Sequence, residues 1–306
     1  MAIAVLPASV RPALAARLPG WLEPRWWDGP DSLVALAPAA EIGWFDRHDK
    51  PPVLRAVEQA RGLRWLNTSY AGVDWLPLAE LERRGVALTC GTGLTTGQVA
   101  EFALLAMLAV AKDYRAVVRA QDRHEWLDAA PGTRDLAGSR ALVLGHGAIG
   151  QAIDRALTGF GVEVVAVSSR RPRNWRSLIG TFDWIVLAVP GTPATRGLIG
   201  PADLAGMKPE AVLVNFARAD CVEQDALVAA LRERRIAAAV LDLTDPEPLP
   251  PGHPLWAFDN AHVTMHLSGI PTPASQARAA ERFLRNCARF RAGEPLEAQV
   301  DLGRGY

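Results

Sequence analysis

An apolar run that leads directly into three spaced glycines is the feature that most restricts how this chain can fold. Residues 141–144 read Ala-Leu-Val-Leu, and Gly145, Gly147 and Gly150 follow them. A second apolar run at 162–167 comes after a stretch that is long enough for a helix. This order is typical of a buried parallel strand, a tight turn and the helix that packs on that strand. The sequence therefore predicts a β-α-β unit of a parallel sheet.

The three glycines have separate physical roles in such a turn. Gly145 permits the tight bend, Gly147 lets a pyrophosphate approach the backbone, and Gly150 allows close packing of helix and strand. A glycine turn with a purely structural role is the alternative, but the flanking strands and helix favour a dinucleotide site. The N–H groups at the start of the helix would face the phosphates. The predicted cofactor contacts in this turn are Gly145, His146, Gly147, Ala148, Ile149 and Gly150.

The residues after the second strand indicate which dinucleotide is bound. NAD-binding versions of this unit usually place Asp or Glu there to accept from the ribose hydroxyls. This chain instead continues Ser168, Ser169, Arg170, Arg171, Pro172, Arg173. Hydroxyl and guanidinium groups can bind a 2′-phosphate, and no carboxylate is present to repel it. The segment predicts NADP(H) as the preferred cofactor, with NAD(H) possible, against the alternative of a solvated basic loop.

The charge balance and the cysteines limit the class of protein. Lys plus Arg and Asp plus Glu both number 33 among 306 residues, which argues against nucleic acid or an anionic membrane as the main partner. Cys90, Cys221 and Cys287 have unrelated spacings, so they suggest neither a disulfide framework nor a metal site. A reducing, cytoplasmic location is expected. The most apolar stretch, 102–111, is too short to span a bilayer, and the N-terminus does not resemble a secretion signal.

Strand and helix patterns alternate on both sides of the glycine turn, which predicts two α/β domains with parallel sheets. The expected domains are a substrate-binding, flavodoxin-like domain of residues 1–93 plus 271–306 and a Rossmann-like dinucleotide-binding domain of 94–270, both doubly wound. A cleft between them is expected to hold the substrate. The predicted strands are 3–6, 41–45, 63–67, 86–90, 141–144, 162–167, 184–189, 212–215, 237–241 and 262–264. The predicted helices are 11–18, 52–61, 78–84, 98–113, 151–158 and 274–291.

Three ionisable residues near the predicted strand ends of the second domain could support hydride transfer to a ketone. That reaction needs a proton donor, a cation that polarises the carbonyl, and a group that keeps the donor protonated. The candidate proton donor is His266, and the candidate cation is Arg218. Glu247 is the candidate for keeping the donor protonated, because a carboxylate stabilises a protonated imidazole. Each also has a simpler interpretation: a structural histidine, a surface arginine and a solvated turn residue. The residue pattern by itself leaves both interpretations open.

Several ordered motifs extend this interpretation. The first motif, at residues 214–227, begins Val-Asn-Phe-Ala-Arg. The second, at residues 240–249, contains Leu-Asp-Leu-Thr-Asp-Pro-Glu-Pro at 241–248, and the third, at residues 259–266, ends in His266. In this order they resemble the motifs of the D-isomer-specific 2-hydroxyacid dehydrogenases, and the resemblance covers nearly the whole chain. Within that family the Ser-Arg pattern after the second strand is most similar to NADPH-dependent glyoxylate and hydroxypyruvate reductases.

The resemblance implies roles for particular residues. Arg218 corresponds to the substrate-binding, carbonyl-polarising arginine, Asp242 to the residue that holds the nicotinamide carboxamide, and Glu247 to the acid paired with the catalytic His266. In the first domain, the loop of residues 67–74 resembles the one whose N–H groups bind the substrate carboxylate. The positions implied by resemblance are Ala71 and Gly72 for that carboxylate and Thr96, Val189, Pro190, Phe216 and Ala217 for the cofactor.

The chain departs from the family pattern near these positions. Met265 stands where a proline usually precedes the histidine, Phe216 replaces a small residue, and Thr244 replaces an aromatic or apolar one. Tyr70 and Trp75 add bulk beside the carboxylate loop. These departures bear on the choice of substrate and on rate more than on the fold.

The function expected from residues and resemblance together is reduction of a small 2-oxo acid, such as glyoxylate or hydroxypyruvate, by NADPH to the D-2-hydroxy acid. The family forms dimers, so a homodimer with residues 102–111 in its interface is expected. One alternative is an NAD-dependent dehydrogenase of another 2-hydroxy acid, such as 3-phosphoglycerate. The other is a non-catalytic, nucleotide-sensing protein of the corepressor kind, because this fold also serves that purpose.

Overall fold

The computed structural model describes residues 1–169 and 174–306. These residues form two compact α/β units: Met1–Thr95 with Pro271–Tyr306, and Thr96–Ile270. Each unit contains one parallel sheet with helices between successive strands. The predicted fold class of two doubly wound α/β domains is therefore confirmed.

Strands and helices alternate along most of the chain. The strands are β1 Ala2–Pro7, β2 Leu22–Trp27, β3 Ile42–Trp44, β4 Trp65–Asn67, β5 Ala87–Thr89, β6 Arg140–Leu144, β7 Glu163–Val167, β8 Trp184–Leu187, β9 Val212–Asn215, β10 Ala238–Leu241 and β11 Ala261–Val263. The α-helices are α1 Arg11–Leu14, α2 Pro30–Leu36, α3 Lys50–Gln59, α4 Leu78–Arg83, α5 Thr96–Ala111, α6 Tyr114–Asp122, α7 Ala148–Gly159, α8 Pro201–Gly206, α9 Gln224–Arg232 and α10 Pro273–Ala292.

The sheet of the first unit has the strand order β2-β1-β3-β4-β5. This is a flavodoxin-like order, and its direction reverses between β1 and β3. In register, Trp44 at the end of β3 lies opposite Asn67 at the end of β4. The terminal helix α10 covers one face of this sheet, where the rings of Trp65 and Phe283 stack with centroids 5.0 Å apart. The loops that follow β1, β3 and β4 consequently emerge at one edge.

Strand β2 is not expected from its sequence. It reads Leu-Glu-Pro-Arg-Trp-Trp, so Glu23, Pro24 and Arg25 interrupt the apolar pattern. The strand lies at the edge of the sheet beside β1, where a proline is tolerated because no further strand needs its missing N–H. Pairing with β1, rather than local hydrophobicity, specifies this strand.

The sheet of the second unit has the order β11-β10-β9-β8-β6-β7. The direction of winding reverses between β6 and β8, and ligands of open α/β sheets bind at such a reversal, outside the carboxyl ends of the strands. Strands β9, β10 and β11 are neighbours with their ends in register, since Leu241 pairs with Asn215 and with Val263. The loops after these strands therefore share the edge at which the glycine turn lies.

The cysteines are reduced and buried. Cys90, Cys221 and Cys287 form no disulfide, and burial raises the pKa of the Cys287 thiol to about 12. They are packing residues, as small apolar side chains usually are. Within residues 1–169 and 174–306, no helix is both long and apolar enough to cross a bilayer.

Candidate active site

The glycine turn joins β6 to α7 at the reversal of the second sheet. Gly145 has φ +96°, and a Cβ there would lie 2.4 Å from the carbonyl oxygen of Ala188, at the end of β8. A Cβ at Gly150 would lie 2.0 Å from the carbonyl oxygen of Gly145. Packing therefore excludes a side chain at both positions, and at Gly145 the positive φ disfavours one as well. A Cβ at Gly147, in contrast, would meet no atom of the described residues within 4 Å.

The space above Gly147 fits a dinucleotide pyrophosphate. Gly147 is the N-cap of α7 and has no side chain with which to cap the helix, so the first N–H groups of the helix remain directed at this open space. The ring of His146 turns towards the helix instead, and its Nε2 lies 2.9 Å from Asp154 Oδ2. The amide of Gln151 donates to the carbonyl oxygen of His146 at 3.0 Å. The side chain and the carbonyl oxygen of His146 therefore bond to residues of α7 and leave the space beside Gly147 unfilled.

The remaining residues predicted to contact the cofactor lie at this same edge or at the start of α5. Val189 and Pro190 follow β8, and Phe216 and Ala217 follow β9, where both are buried. Thr96 is the first residue of α5. Ser168 is half-buried and Ser169 exposed after β7. The predicted contacts Arg170 and Arg171 lie outside the described residues.

A buried asparagine shapes the turn that carries Arg218. Asn215 ends β9, and its Nδ2 donates to the carbonyl oxygen of Arg218 at 2.8 Å. Its Oδ1 accepts from the backbone N–H of Ala217 at 3.0 Å. The guanidinium of Arg218 is half-buried and donates to the carbonyl oxygen of Ala217 at 2.7 Å. Asn215 was not among the predicted site residues, although a polar residue that ends an otherwise apolar strand is a recognisable signal.

Asp242 is the centre of a buried hydrogen-bond network after β10. Asp242 is only 2% exposed to solvent. Oδ1 accepts from the hydroxyl of Thr264 at 2.5 Å, and Oδ2 accepts from the hydroxyl of Ser268. Its backbone oxygen accepts from the N–H of His266 at 2.6 Å. One aspartate therefore holds the chain on both sides of the histidine and at the histidine itself.

The residues so held adopt a conformation that is costly without support. Met265 has φ +55° and His266 has φ +56°, the left-handed region that non-glycine residues rarely occupy. Two such residues in succession must be stabilised by the contacts around them. The hydrogen bonds to Asp242 supply that support. Where the family pattern has a proline, Met265 permits the positive φ that a proline ring would forbid.

The side chains of His266 and Glu247, which the sequence motifs predict to be paired, lie within hydrogen-bond distance of each other. The Nδ1 atom of His266 lies 2.8 Å from Oε1 of Glu247, and the two side chains are 43% and 36% exposed. A carboxylate oxygen accepts, so Nδ1 carries the hydrogen between them. That arrangement leaves Nε2 as the nitrogen that can exchange a proton with a bound molecule.

Register brings the predicted catalytic side chains to one edge of the second sheet. Arg218 follows β9, Glu247 follows β10 and His266 follows β11, and these three strands are adjacent. Glu247 and His266 are in direct contact, while Arg218 shares the edge. A cation, a carboxylate and an imidazole at one edge can hold an anion and transfer a proton.

The loop predicted to bind a carboxylate belongs to the first unit. It follows β4, and its Ala71 is exposed while Gly72 is half-buried. The N–H of Gly91 donates to the carbonyl oxygen of Tyr70 at 2.7 Å. Burial, with a contribution from the charge of Asp46, raises the pKa of Tyr70 to about 12, so its phenol stays neutral. The ammonium of Lys50 lies 4.1 Å from the ring centroids of both Tyr70 and Trp75.

Comparison with known proteins gives the family. The model of the D-isomer specific 2-hydroxyacid dehydrogenase NAD binding domain matches residues 104–268. The human glyoxylate reductase/hydroxypyruvate reductase is 32% identical over 255 residues, which cover 78% of this chain and 77% of the human protein.

Solved structures agree with this family. A D-isomer specific 2-hydroxyacid dehydrogenase family protein from Aeromonas salmonicida superposes with a TM-score of 0.86 at 28% identity and covers 98% of each chain. A D-isomer specific 2-hydroxyacid dehydrogenase from Xanthobacter autotrophicus Py2, in complex with NADPH and MES, has a TM-score of 0.76 at 29% identity and covers 100% of this chain and 99% of that one. This chain therefore belongs to the D-isomer specific 2-hydroxyacid dehydrogenase family and is an oxidoreductase that uses a nicotinamide cofactor.

Proposed function

We propose that this enzyme is an NADP(H)-dependent reductase of small 2-oxo acids of the glyoxylate and hydroxypyruvate kind, giving the D-2-hydroxy acid. The observation that carries the proposal is the 2.8 Å contact between His266 and Glu247, in a segment that Asp242 holds in place. The identity of 32% to the human glyoxylate reductase/hydroxypyruvate reductase supports this substrate class.

The bound nicotinamide supplies the hydride that reduces the carbonyl carbon. In the first unit, the N–H groups of Ala71 and Gly72 bind the substrate carboxylate. In the second unit, Arg218 is proposed to bind an acid group of the substrate and to polarise the carbonyl. His266 donates a proton from Nε2 to the carbonyl oxygen, while Glu247 accepts from Nδ1–H and stabilises the imidazolium. In the oxidative direction Nε2 takes the proton back.

Phosphorylated cofactor is preferred in this proposal because of the residues that follow β7. Ser168 and Ser169 offer hydroxyl groups and no carboxylate stands at this position, so a 2′-phosphate meets no like charge. The related dehydrogenase from Xanthobacter autotrophicus binds NADPH. The contribution of Arg170 and Arg171 stays a prediction from the sequence.

The proposal includes a homodimer and a cytoplasmic location. The apolar helix α5 is assigned to the dimer interface, because Leu105 on this helix is 60% exposed. The three reduced, buried thiols of Cys90, Cys221 and Cys287 suit a reducing compartment. A small 2-oxo or 2-hydroxy acid is the partner, and neither nucleic acid nor membrane is expected to bind.

A panel of 2-oxo acids, assayed with NADPH and NADH in parallel, tests the substrate and the cofactor together. We expect glyoxylate and hydroxypyruvate to oxidise NADPH, with kcat/KM at least about tenfold higher than with NADH. A clear preference for NADH would contradict the cofactor assignment. Turnover of 3-phosphohydroxypyruvate alone would contradict the substrate class.

The variant His266→Ala tests the catalytic role. Loss of a general acid lowers kcat by about 100-fold or more, while NADPH binding, followed by its fluorescence, should stay within about twofold of the wild type. The variant His124→Ala is the matched control, because this exposed histidine lies in the same unit, after α6, and belongs to none of the loops that follow β9, β10 and β11. Unchanged kcat in His266→Ala would overturn the proposed mechanism.

A further inference from the structure

Asp46 lies at the reversal of the first sheet and accepts four hydrogen bonds from neighbouring residues. It lies two positions after the end of β3, and β3 is paired in register with β4. The loop predicted to bind the substrate carboxylate follows β4. Asp46 Oδ2 accepts from Trp44 Nε1 at 2.8 Å, from Ser69 N at 2.6 Å and from the Ser69 hydroxyl. Its Oδ1 accepts from the Thr68 hydroxyl at 2.5 Å. Three of these donors belong to the first two residues of the loop.

The hydrogen bond from Thr68 extends the effect of Asp46 one residue further. A hydroxyl has one hydrogen and two lone pairs. Because Thr68 donates its hydrogen to Asp46, its oxygen is free to accept, and it accepts from the N–H of Tyr70 at 3.1 Å. Asp46 thus orients Thr68 and Ser69 directly and Tyr70 through one relay. The next residues in the chain are Ala71 and Gly72.

The opposite side of the loop is held by β5 and the residues after it. Thr68 N donates to the carbonyl oxygen of Thr89 at 2.9 Å, and Gly91 N donates to that of Tyr70 at 2.7 Å. A Cβ at Gly91 would lie 1.8 Å from the carbonyl oxygen of Ser69, so the two backbones are in close contact. Hydrogen bonds to Asp46 therefore hold the loop on the side of β3, and backbone hydrogen bonds to Thr89 and Gly91 hold it on the side of β5.

The bonding capacity of Asp46 shows how it acts. A carboxylate accepts through two oxygens with about four lone-pair sites, and here Oδ2 already accepts three hydrogen bonds and Oδ1 one. The residue also lines a cavity of about 160 Å³ with Ser9, Trp44, Ser69 and Tyr70, but it has little capacity left to bind a substrate there. Its charge is committed to the loop, and its influence on a ligand passes through the loop backbone.

We propose that Asp46 is a positioning residue, which sets the N–H groups of Ala71 and Gly72 for the carboxylate of the 2-oxo acid. This inference rests on the proposed function, in which those two N–H groups bind the substrate. A group that supports binding of the carboxylate equally in the bound substrate and in the transition state changes KM and leaves kcat nearly unchanged. The expected signature of Asp46 is therefore a weaker affinity for the acid with nearly unchanged turnover at saturation.

The variant Asp46→Asn is the test, because an amide has the same shape but one acceptor fewer. In either orientation its NH₂ group faces at least one of the present donors. We expect KM for glyoxylate to rise at least about tenfold, with kcat and the affinity for NADPH within about threefold of the wild type. The control Asp28→Asn makes the same change at an exposed carboxylate of the same unit, which accepts from the hydroxyl of Ser32, and should match the wild type.

Amide hydrogen exchange gives a second readout that does not depend on turnover. In Asp46→Asn, exchange of the amides of residues 69–72 should be at least about tenfold faster than in wild type and Asp28→Asn. The variant Thr68→Val removes the relay to Tyr70 with little change of shape, and it replaces Asp46→Asn if that protein does not fold.

The outcomes separate this inference from the proposed function. Faster exchange together with a raised KM supports the role of Asp46. Unchanged exchange, or faster exchange with unchanged KM, overturns it, as does an equal fall in kcat and kcat/KM. If the wild type turns over no 2-oxo acid, the proposed function fails. In that case, amide hydrogen exchange of residues 69–72 is measured with and without oxalate in the wild type and in Asp46→Asn. Oxalate that slows exchange in the wild type but not in the variant shows that Asp46 positions an anion site, and equal slowing in both overturns that role.

Discussion

At the scale of single residues, the position of His266 depends on Asp242 as well as on its partner Glu247. Two successive residues at positive φ cost roughly 1–2 kcal/mol each, and three hydrogen bonds to one buried aspartate help to offset that cost. An imidazole placed by such a network has a defined direction for Nε2. Precise direction matters because proton transfer needs a donor within hydrogen-bond reach.

Removal of the Ser268 hydroxyl should loosen this arrangement. The variant Ser268→Ala leaves Oδ2 of Asp242 without one buried donor, a loss of about 1–3 kcal/mol. We expect kcat for the 2-oxo acid to fall about tenfold or more, with KM within about threefold. Steady-state kinetics at saturating NADPH measures both parameters.

A matched control distinguishes lost position from lost stability. Ser139 is also buried and hydrogen-bonded, to Leu136 and Trp184, but it precedes β6 at the amino end of the sheet. Ser139→Ala should lower the melting temperature and leave kcat unchanged. Equal kcat in Ser268→Ala and the wild type would show that Asp242 holds the histidine without Ser268.

At the scale of elements, the turn between β6 and α7 shows that glycines in one motif have different physical requirements. Gly150 is needed because helix and turn are in backbone contact, 2.0 Å from where its Cβ would lie. Gly147 has φ −75° and ψ −162°, which any residue can adopt, and open space faces it. The fold therefore does not require glycine at this position, and we propose that the pyrophosphate of the cofactor does.

Alanine substitutions should separate these two requirements. Gly150→Ala should lower the free energy of unfolding by about 3 kcal/mol or more, because a backbone atom cannot move aside. Gly147→Ala should change the free energy of unfolding by less than about 1 kcal/mol and weaken NADPH binding at least about tenfold. Urea unfolding and fluorescence titration measure the two effects. Normal cofactor affinity in Gly147→Ala would show that the pyrophosphate lies elsewhere.

At the scale of the whole molecule, an apolar groove on the second unit is the surface that we propose for dimer formation. This α5–β11 groove has a volume of about 390 Å³ and is lined by Phe102, Leu105, Ala106, Ala109, Arg115, Leu255, Trp256, Ala261, His262, Val263 and Thr264. Leu105 is 60% exposed and Trp256 is 40% exposed. Burial, with a contribution from the charge of Arg115, lowers the pKa of His262, which leaves the groove with an uncharged imidazole at neutral pH. Exposed apolar groups around one groove are typical of an interface.

A carboxylate in place of the exposed apolar side chain of Leu105 should prevent dimer formation. Size-exclusion chromatography with light scattering should find the wild type as a dimer at micromolar concentration and Leu105→Glu as a monomer. The substitution is expected to raise the dissociation constant of the dimer at least about 100-fold. Leu178→Glu is the control, since Leu178 is similarly exposed, at 45%, in the same unit but outside the groove. A monomeric wild type would contradict the proposed homodimer.

The extent to which sequence predicts structure differs between parts of this chain. Strand β6 and the glycine turn are predictable because hydrophobicity and glycine spacing are local properties. Strand β2 is not, since Pro24 and its charged neighbours conceal a strand that pairing with β1 specifies. The roles of Asn215, Ser268 and Asp46 are also missed, because each acts on residues that only the folded chain brings close.

By itself, the sequence determined the α/β class, the parallel sheets, the dinucleotide turn and the motifs of the family, because periodicity, glycine spacing and residue order are written in the chain. The tertiary structure decided that Nδ1 of His266 meets Glu247, that Asp242 holds the positive-φ turn, and that Asp46 bonds to the loop after β4. The physical reason is that strand register places residues far apart in sequence at one sheet edge, and hydrogen bonds depend on distances that no local pattern contains.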